Sequence, residues 1–165
     1  MTDFESLLRV LCENHVEFIV IGGVAANLHG SARLTKDLDV VYRRNPENMR
    51  RLADALRPYN PYPRGAPPGL PFIWDAETLE RGLNFTLVTT LGDLDILGEV
   101  SGGNGFDALI HDTESANIFG HPCTCLNLQK LIEVKRAAGR PKDFEALAEL
   151  VAIWDERKRR ESPSP

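Results

Sequence analysis

Apolar residues recur along the chain with two different periods, and the expected elements change where the period changes. Residues 3–14 carry Phe4, Leu7, Leu8 and Leu11 at three- and four-residue spacing, which predicts an amphipathic helix laid against a larger body. Phe18, Ile19, Val20 and Ile21 then form a continuous run rich in β-branched residues and closed by Gly22 and Gly23, the pattern of a buried strand. Residues 24–29 predict a short helix ended by Gly30. A second strand is expected over residues 38–42, and Asn45 followed by Pro46 opens a helix to Arg57, with Asn45 as cap and Pro46 in the first turn. Residues 58–71, PYNPYPRGAPPGLP, are dense in Pro and Gly. They predict a long irregular surface loop, of a kind that often covers a binding site.

Alternation returns over residues 83–89, a turn at 91–93 follows, and residues 94–97 read as a strand, so a β-hairpin is expected here. A weaker hairpin is predicted from residues 116–119 and 123–126 around Gly120, His121 and Pro122. Asn127 then caps a helix carrying Leu128, Leu131, Ile132 and Val134 to about Ala138. Gly139-Arg140-Pro141 breaks it, and Pro141 opens a last helix with Phe144, Leu147, Leu150, Val151 and Trp154.

The chain has 165 residues and 18.4 kDa, with 42% apolar and 26% charged residues. That suits one domain over residues 1–156 with its own core, and a frayed tail over residues 157–165. No apolar run approaches the ~20 residues that cross a bilayer, and the N-terminus lacks a signal peptide's basic start, so no membrane contact and a cytoplasmic address are expected. Cys12, Cys123 and Cys125 are an odd set with a poor disulfide spacing, which predicts free thiols. The net charge of -5 is unevenly spread. Residues 127–165 hold 9 Lys+Arg against 7 Asp+Glu, and residues 1–126 hold 10 against 17. An acidic body therefore precedes a basic helical end, which argues against a protein whose whole surface binds nucleic acid.

The candidate chemistry lies in the acidic part. Gly22-Gly23 at a strand-to-helix turn lets the backbone approach a ligand, and a helix start offers free amides, an arrangement suited to phosphate. Asp37 and Asp39 are two apart on an expected strand and so share a face, while Leu38 and Val40 point into the core. Carboxylates held that close need a proton or a cation, and Mg²⁺ suits hard oxygen ligands beside phosphate. Two-metal phosphoryl transfer calls for a third carboxylate on a neighbouring strand. Asp95 is the candidate, because Leu94 and Ile96 take the opposite face; Asp93, nearer the turn, is the alternative.

These residues resemble the DNA polymerase β-like minimal nucleotidyltransferases, and more closely their bacterial branch of AbiEii-like and related small members. Residues 19–40, IVIGGVAANLHGSARLTKDLDV, look like their glycine turn, helix and paired aspartates; LDILGE at 94–99 and LIEVKRAAGRPKD at 131–143 also look like that branch. The resemblance covers residues 16–150, the first block being the most specific. Many members have Gly-Ser where this chain has Gly22-Gly23, leaving Thr35, Ser31 or backbone amides as the groups to touch phosphate. The resemblance implies an α+β (α/β-like) nucleotidyltransferase fold, a mixed β-sheet flanked by helices with further C-terminal helices. It implies Mg²⁺ or Mn²⁺ as cofactor and transfer of a nucleoside monophosphate from a nucleoside triphosphate to a hydroxyl of an RNA (tRNA-like) or protein acceptor. In that reading Asp37 and Asp39 hold the ions, and Asp95 binds the catalytic ion and takes the acceptor's proton. Gly22, Gly23, Arg33, Thr35, Lys135, Arg140 and Lys142 bind the nucleotide. A toxin–antitoxin role with a cognate toxin or antitoxin protein follows from analogy alone. The rival reading is an inactive nucleotide-binding or antitoxin-like partner protein of the same fold.

Other groupings are weaker. His121, Cys123 and Cys125 lack zinc-ligand spacing and a fourth ligand. Trp74 beside the Pro-rich segment reads equally as a base-stacking or an interior aromatic. The Asp-x-Asp of haloacid-dehalogenase-like phosphatases follows its strand, whereas here Val40 and Val41 come after the pair.

Overall fold

The structure, a computed structural model, describes residues 1–162. Its strands are β1 (Phe18–Ile21), β2 (Asp37–Tyr42), β3 (Tyr62–Pro63), β4 (Asn84–Thr89), β5 (Gly92–Leu97), β6 (Thr113–Ile118) and β7 (His121–Leu126). Among the described residues they form one seven-stranded mixed sheet in the order β3-β4-β5-β2-β1-β7-β6. The centre mixes directions: β2 is antiparallel to β1 and parallel to β5, while β1 is parallel to β7. The helices are α1 (Phe4–Glu13), α2 (Gly22–Leu28), α3 (Pro46–Leu56), α4 (Ala76–Arg81), α5 (Phe106–Leu109), α6 (Leu128–Ala138) and α7 (Phe144–Glu161). Helix α3 packs on α1 and α4, and α6 packs on α2 and α7. No helix among the described residues is long and apolar enough to cross a membrane. This is the α+β fold expected from the sequence.

The caps explain why the helices start where they do. Asp3, Asn45, Asp75 and Asn127 each accept a hydrogen bond from the amide three residues on, satisfying one otherwise orphaned donor per helix, worth about 1 kcal/mol each. The strand register is set by burial. Leu38, Val40, Leu94 and Ile96 are all but fully buried, each contributing about 2 kcal/mol. A one-residue slip of β2 or β5 would expose them and drive aspartates into the core.

Three expectations are corrected. Residues 58–71 are not wholly irregular: a 3-10 turn spans Arg57–Tyr59, and β3 adds Tyr62 and Pro63 to the sheet edge opposite Val88 and Leu87. Pro is tolerated there because an edge strand can lack a donor. Helix α2 begins at Gly22 rather than Val24, so the two glycines form its first turn. Helix α7 continues to Glu161, past the frayed end expected at Arg157. Arg157 is anchored there, its guanidinium donating at 3.0 Å to the His29 carbonyl. The Pro-Ser-Pro end of the expected tail, residues 163–165, lies outside the described residues.

Candidate active site

Parallel pairing of β2 with β5 sets Asp37 beside Asp93 and Asp39 beside Asp95. Antiparallel pairing of β1 with β2 sets Asp39 opposite Ile21, the residue before the diglycine turn. One carboxylate oxygen from each of Asp37, Asp39 and Asp95 lies within 4.8 Å of the others. Asp95, and not Asp93, completes the set with the paired aspartates. Among the described residues this trio is the single group of metal-ligating side chains so gathered. His121, Cys123 and Cys125 form no such group, and the three cysteines are free thiols.

The electrostatics follow from that proximity. Asp39 has its carboxyl pushed up to about 8, first by burial and then by the charges of Asp37 and Asp95 and a hydrogen bond with Asp95; the Gly23 amide partly offsets this by donating to it. Burial, followed by Asp37, also raises Asp95, although Arg64 opposes the shift. Three hard oxygen ligands crowded in one place fit a divalent ion such as Mg²⁺, which would relieve the repulsion that helps raise Asp39 and Asp95.

Gly22 is required by packing. Its φ is +65°, and a Cβ on it would come 2.0 Å from Asp39 Oδ2. Gly23 has a different reason: a Cβ there would lie 2.5 Å from Thr35 Oγ1 and 2.6 Å from Thr35 Cβ. Thr35 therefore fills the space that a serine at 23 would take, with its hydroxyl donating to the Asp37 carbonyl at 3.1 Å. Gly23→Ser is expected to lower the melting temperature by about 3–6 °C. Adding Thr35→Gly should restore most of that loss. Thermal denaturation of the single and double variants checks this, and equal melting of both would refute the packing relation.

The structure brings every residue expected at the nucleotide to one cavity of about 520 Å³: Gly22, Gly23, Arg33, Thr35, Lys135, Arg140 and Lys142 line it together with Asp37, Asp39 and Asp95. Asp143 organises two of the cations, with Lys135 Nζ 3.5 Å and Arg140 Nε 2.7 Å from its carboxylate. Burial alone would raise the Asp143 carboxyl, but these two cations outweigh it and hold it below its ordinary value. Glu149 of α7 accepts the Ser31 hydroxyl, and Arg33 lies 3.7 Å from Glu145, so the last helix ties down the 31–35 segment. Trp74 is half-buried and packed against the core, its Nε1 donating to the Ala53 carbonyl at 2.9 Å and its ring edge-on to Phe85.

Sequence reasoning missed Arg64 and Asp143. Arg64 follows β3 and places its guanidinium over the acids, 2.8 Å from Asp95, 3.4 Å from Asp93 and 3.7 Å from Asp37. Its only local signal was a lone cation within the Pro-rich segment. A second cavity of about 440 Å³ meets the first at Asp39 and Asp95. Leu97, Val100, Leu131 and Val134 line it together with Asn84 and Glu99.

No family model matches this sequence, and no curated protein matches it. Solved structures do. The lincosamide antibiotic adenylyltransferase LnuA, in its lincomycin-bound form, superposes with a TM-score of 0.60 at 16% identity, covering 93% of this chain and 98% of that one. TM1012 of Thermotoga maritima, assigned as a nucleotidyltransferase, gives 0.55 at 16% identity over 92% and 96% of the two chains. An antigenic nucleotidyltransferase-like protein of Paracoccidioides brasiliensis gives 0.55 at 14% identity over 90% and 72%. With the sheet order and helices described above, these likenesses give the chain the nucleotidyltransferase fold.

Proposed function

We infer that the protein is a nucleotidyltransferase that moves a nucleoside monophosphate from a nucleoside triphosphate to an acceptor hydroxyl. The observation that carries this reading is one cavity in which Asp37, Asp39 and Asp95 converge while Arg33, Arg64, Lys135, Arg140 and Lys142 line the same walls. Carboxylates alone would repel a triphosphate. Cations alone would bind it without a means of activating a hydroxyl.

Asp37, Asp39 and Asp95 are the residues that would hold Mg²⁺ or Mn²⁺. Such an ion, when bound, polarises phosphoryl oxygens and eases loss of the hydroxyl proton. Lys135 and Arg140, aligned by Asp143, and Lys142 bind the phosphate oxygens. Asp95 accepts the proton of the acceptor hydroxyl as its oxygen attacks the α-phosphorus. The bond from that phosphorus to the bridging oxygen breaks, and pyrophosphate leaves with the electron pair.

The second cavity favours a small hydroxylated acceptor over RNA. It opens onto Asp95, mixes apolar and polar walls, and at about 440 Å³ falls in the range of small-molecule pockets. A net charge of -5 gives little support to extended phosphate contacts. LnuA, which shares the fold, is a lincosamide adenylyltransferase with lincomycin bound.

Incubation with each labelled nucleoside triphosphate and Mg²⁺ tests the reading, with hydroxylated small molecules, total RNA and cell-extract proteins offered as separate acceptor sets. Labelled product from wild type that is absent with Asp39→Ala supports transfer. Tight nucleotide binding with no product in any set overturns it in favour of a nucleotide-binding partner protein.

A further inference from the structure

Arg64 is held in the site by charge rather than by fit. Its backbone is fixed, since its amide donates to the Thr86 carbonyl at 2.9 Å. The chain leaves immediately afterwards through Gly65, which has φ +81° and open space around it. Only Nη2 of the guanidinium is well bonded, to Asp95 Oδ1 and the Leu87 carbonyl, both at 2.8 Å. Nε is buried with no hydrogen-bond partner among the described residues, although Asp93 lies 3.4 Å away, and Nη1 is 3.7 Å from Asp37. Arginine–carboxylate pairs are frequently bidentate, with two parallel N–H···O bonds to one carboxylate. This one spreads a single charge over three acids.

Two of those acids belong to the trio proposed for a divalent ion. Mg²⁺ requires ligand oxygens at about 2.0–2.1 Å. An ion that close to the Asp95 and Asp37 oxygens would lie within a few ångströms of the guanidinium, and the two cations would repel. The side chain has another place to go, because Arg33, Lys135, Arg140 and Lys142 line the same cavity and mark where an anion would sit.

We propose that Arg64 is an exchangeable counter-cation. It and a divalent ion compete for Asp37 and Asp95, and the displaced guanidinium binds phosphate oxygens of the incoming triphosphate. Arg64 thus contributes to nucleotide binding and makes metal loading depend on the nucleotide. The inference rests on the nucleotidyltransferase reading of the site, and its test separates the two.

Calorimetry of wild type, Arg64→Met and Arg64→Lys is carried out first with Mn²⁺ alone and then with an α,β-methylene nucleoside triphosphate in the presence of Mn²⁺. Arg64→Met keeps the aliphatic stem, and circular dichroism verifies its fold; if it does not fold, Arg64→Lys carries the comparison. The expected result has opposite signs, with Mn²⁺ alone bound about tenfold more tightly by Arg64→Met and the triphosphate about tenfold more weakly. Arg64→Lys should fall between. A merely structural Arg64 would shift both affinities in one direction. That result, or equal Mn²⁺ affinity in wild type and Arg64→Met, overturns the inference and leaves the metal centre intact. If no variant binds Mn²⁺, the metal-centre reading itself fails, and the inference with it.

Discussion

Asp39→Asn is expected to abolish nucleotidyl transfer, by about a thousandfold or more, while making the protein more stable in chelator-treated buffer above neutral pH. Both effects have one cause. Asp39 is held against Asp37 and Asp95 in a partly desolvated place, and its carboxyl is pushed from 3.8 to about 8, burial being the largest contribution. The folded chain therefore holds this proton more tightly than the unfolded one. Below about pH 4 both states are protonated and the site costs nothing. Between about pH 4 and pH 8 the unfolded chain has released its proton and the folded chain has not, so stability falls as pH rises; above about pH 8 the loss is complete. Asparagine has no proton to release.

Melting temperatures of wild type and Asp39→Asn should therefore nearly coincide at pH 4 and diverge by pH 8. Asp39→Asn should then lie higher by roughly 1–3 kcal/mol, or about 3–10 °C. Mn²⁺ should raise the wild-type value and leave the variant's almost unmoved, because ligand binding stabilises only a chain that can bind. A variant that melts below wild type at pH 8 with chelator present would show that the trio carries no electrostatic strain.

Gly22→Ala should be nearly as damaging to activity, through geometry rather than charge. The added methyl carbon would lie 2.0 Å from Asp39 Oδ2 and 2.7 Å from Asp39 Cγ, at a backbone φ of +65°. The left-handed conformation costs about 1–2 kcal/mol for any residue with a Cβ. The clash adds to this by pushing the carboxylate off the position where it meets Asp37 and Asp95. Displacement of a reacting group by about 1 Å can cost on the order of a hundredfold in rate. Transfer should fall at least that far, with Mn²⁺ affinity falling in parallel. Gly65→Ala is the control: φ is +81°, yet nothing lies within 4 Å of its Cβ position, so only the backbone cost applies. Titration of Mn²⁺ into both variants checks the contrast. Equal effects at the two positions would mean that the approach of Asp39 to Gly22 has no functional weight.

The sequence by itself determined those features whose physics is local. The β-branched run of β1, the alternation that puts Leu38 and Val40 inward and Asp37 and Asp39 outward, and the Asn45-Pro46 start of α3 each follow from a few adjacent residues. The same alternation in β5 turned both Asp93 and Asp95 outward, with Leu94 and Ile96 buried, and the nearness of Asp93 to the turn favoured Asp95. Local pattern failed where the stabilising partner is distant in the chain. Tyr62 and Pro63 form a strand only because Val88 and Leu87 offer an edge, and α7 persists past Arg157 because that residue bonds to His29, 128 positions earlier. Arg64 could not be placed from its neighbours either, since its position over Asp37, Asp93 and Asp95 arises from β3 joining β4, β4 joining β5 and β5 joining β2. Pattern along a chain reports which side of an element faces the core, whereas the distance between groups on different elements is set by strand order and register. For this protein the sequence determined which acids face outward, and the tertiary structure alone decided that three of them meet and that an arginine from the Pro-rich segment stands among them.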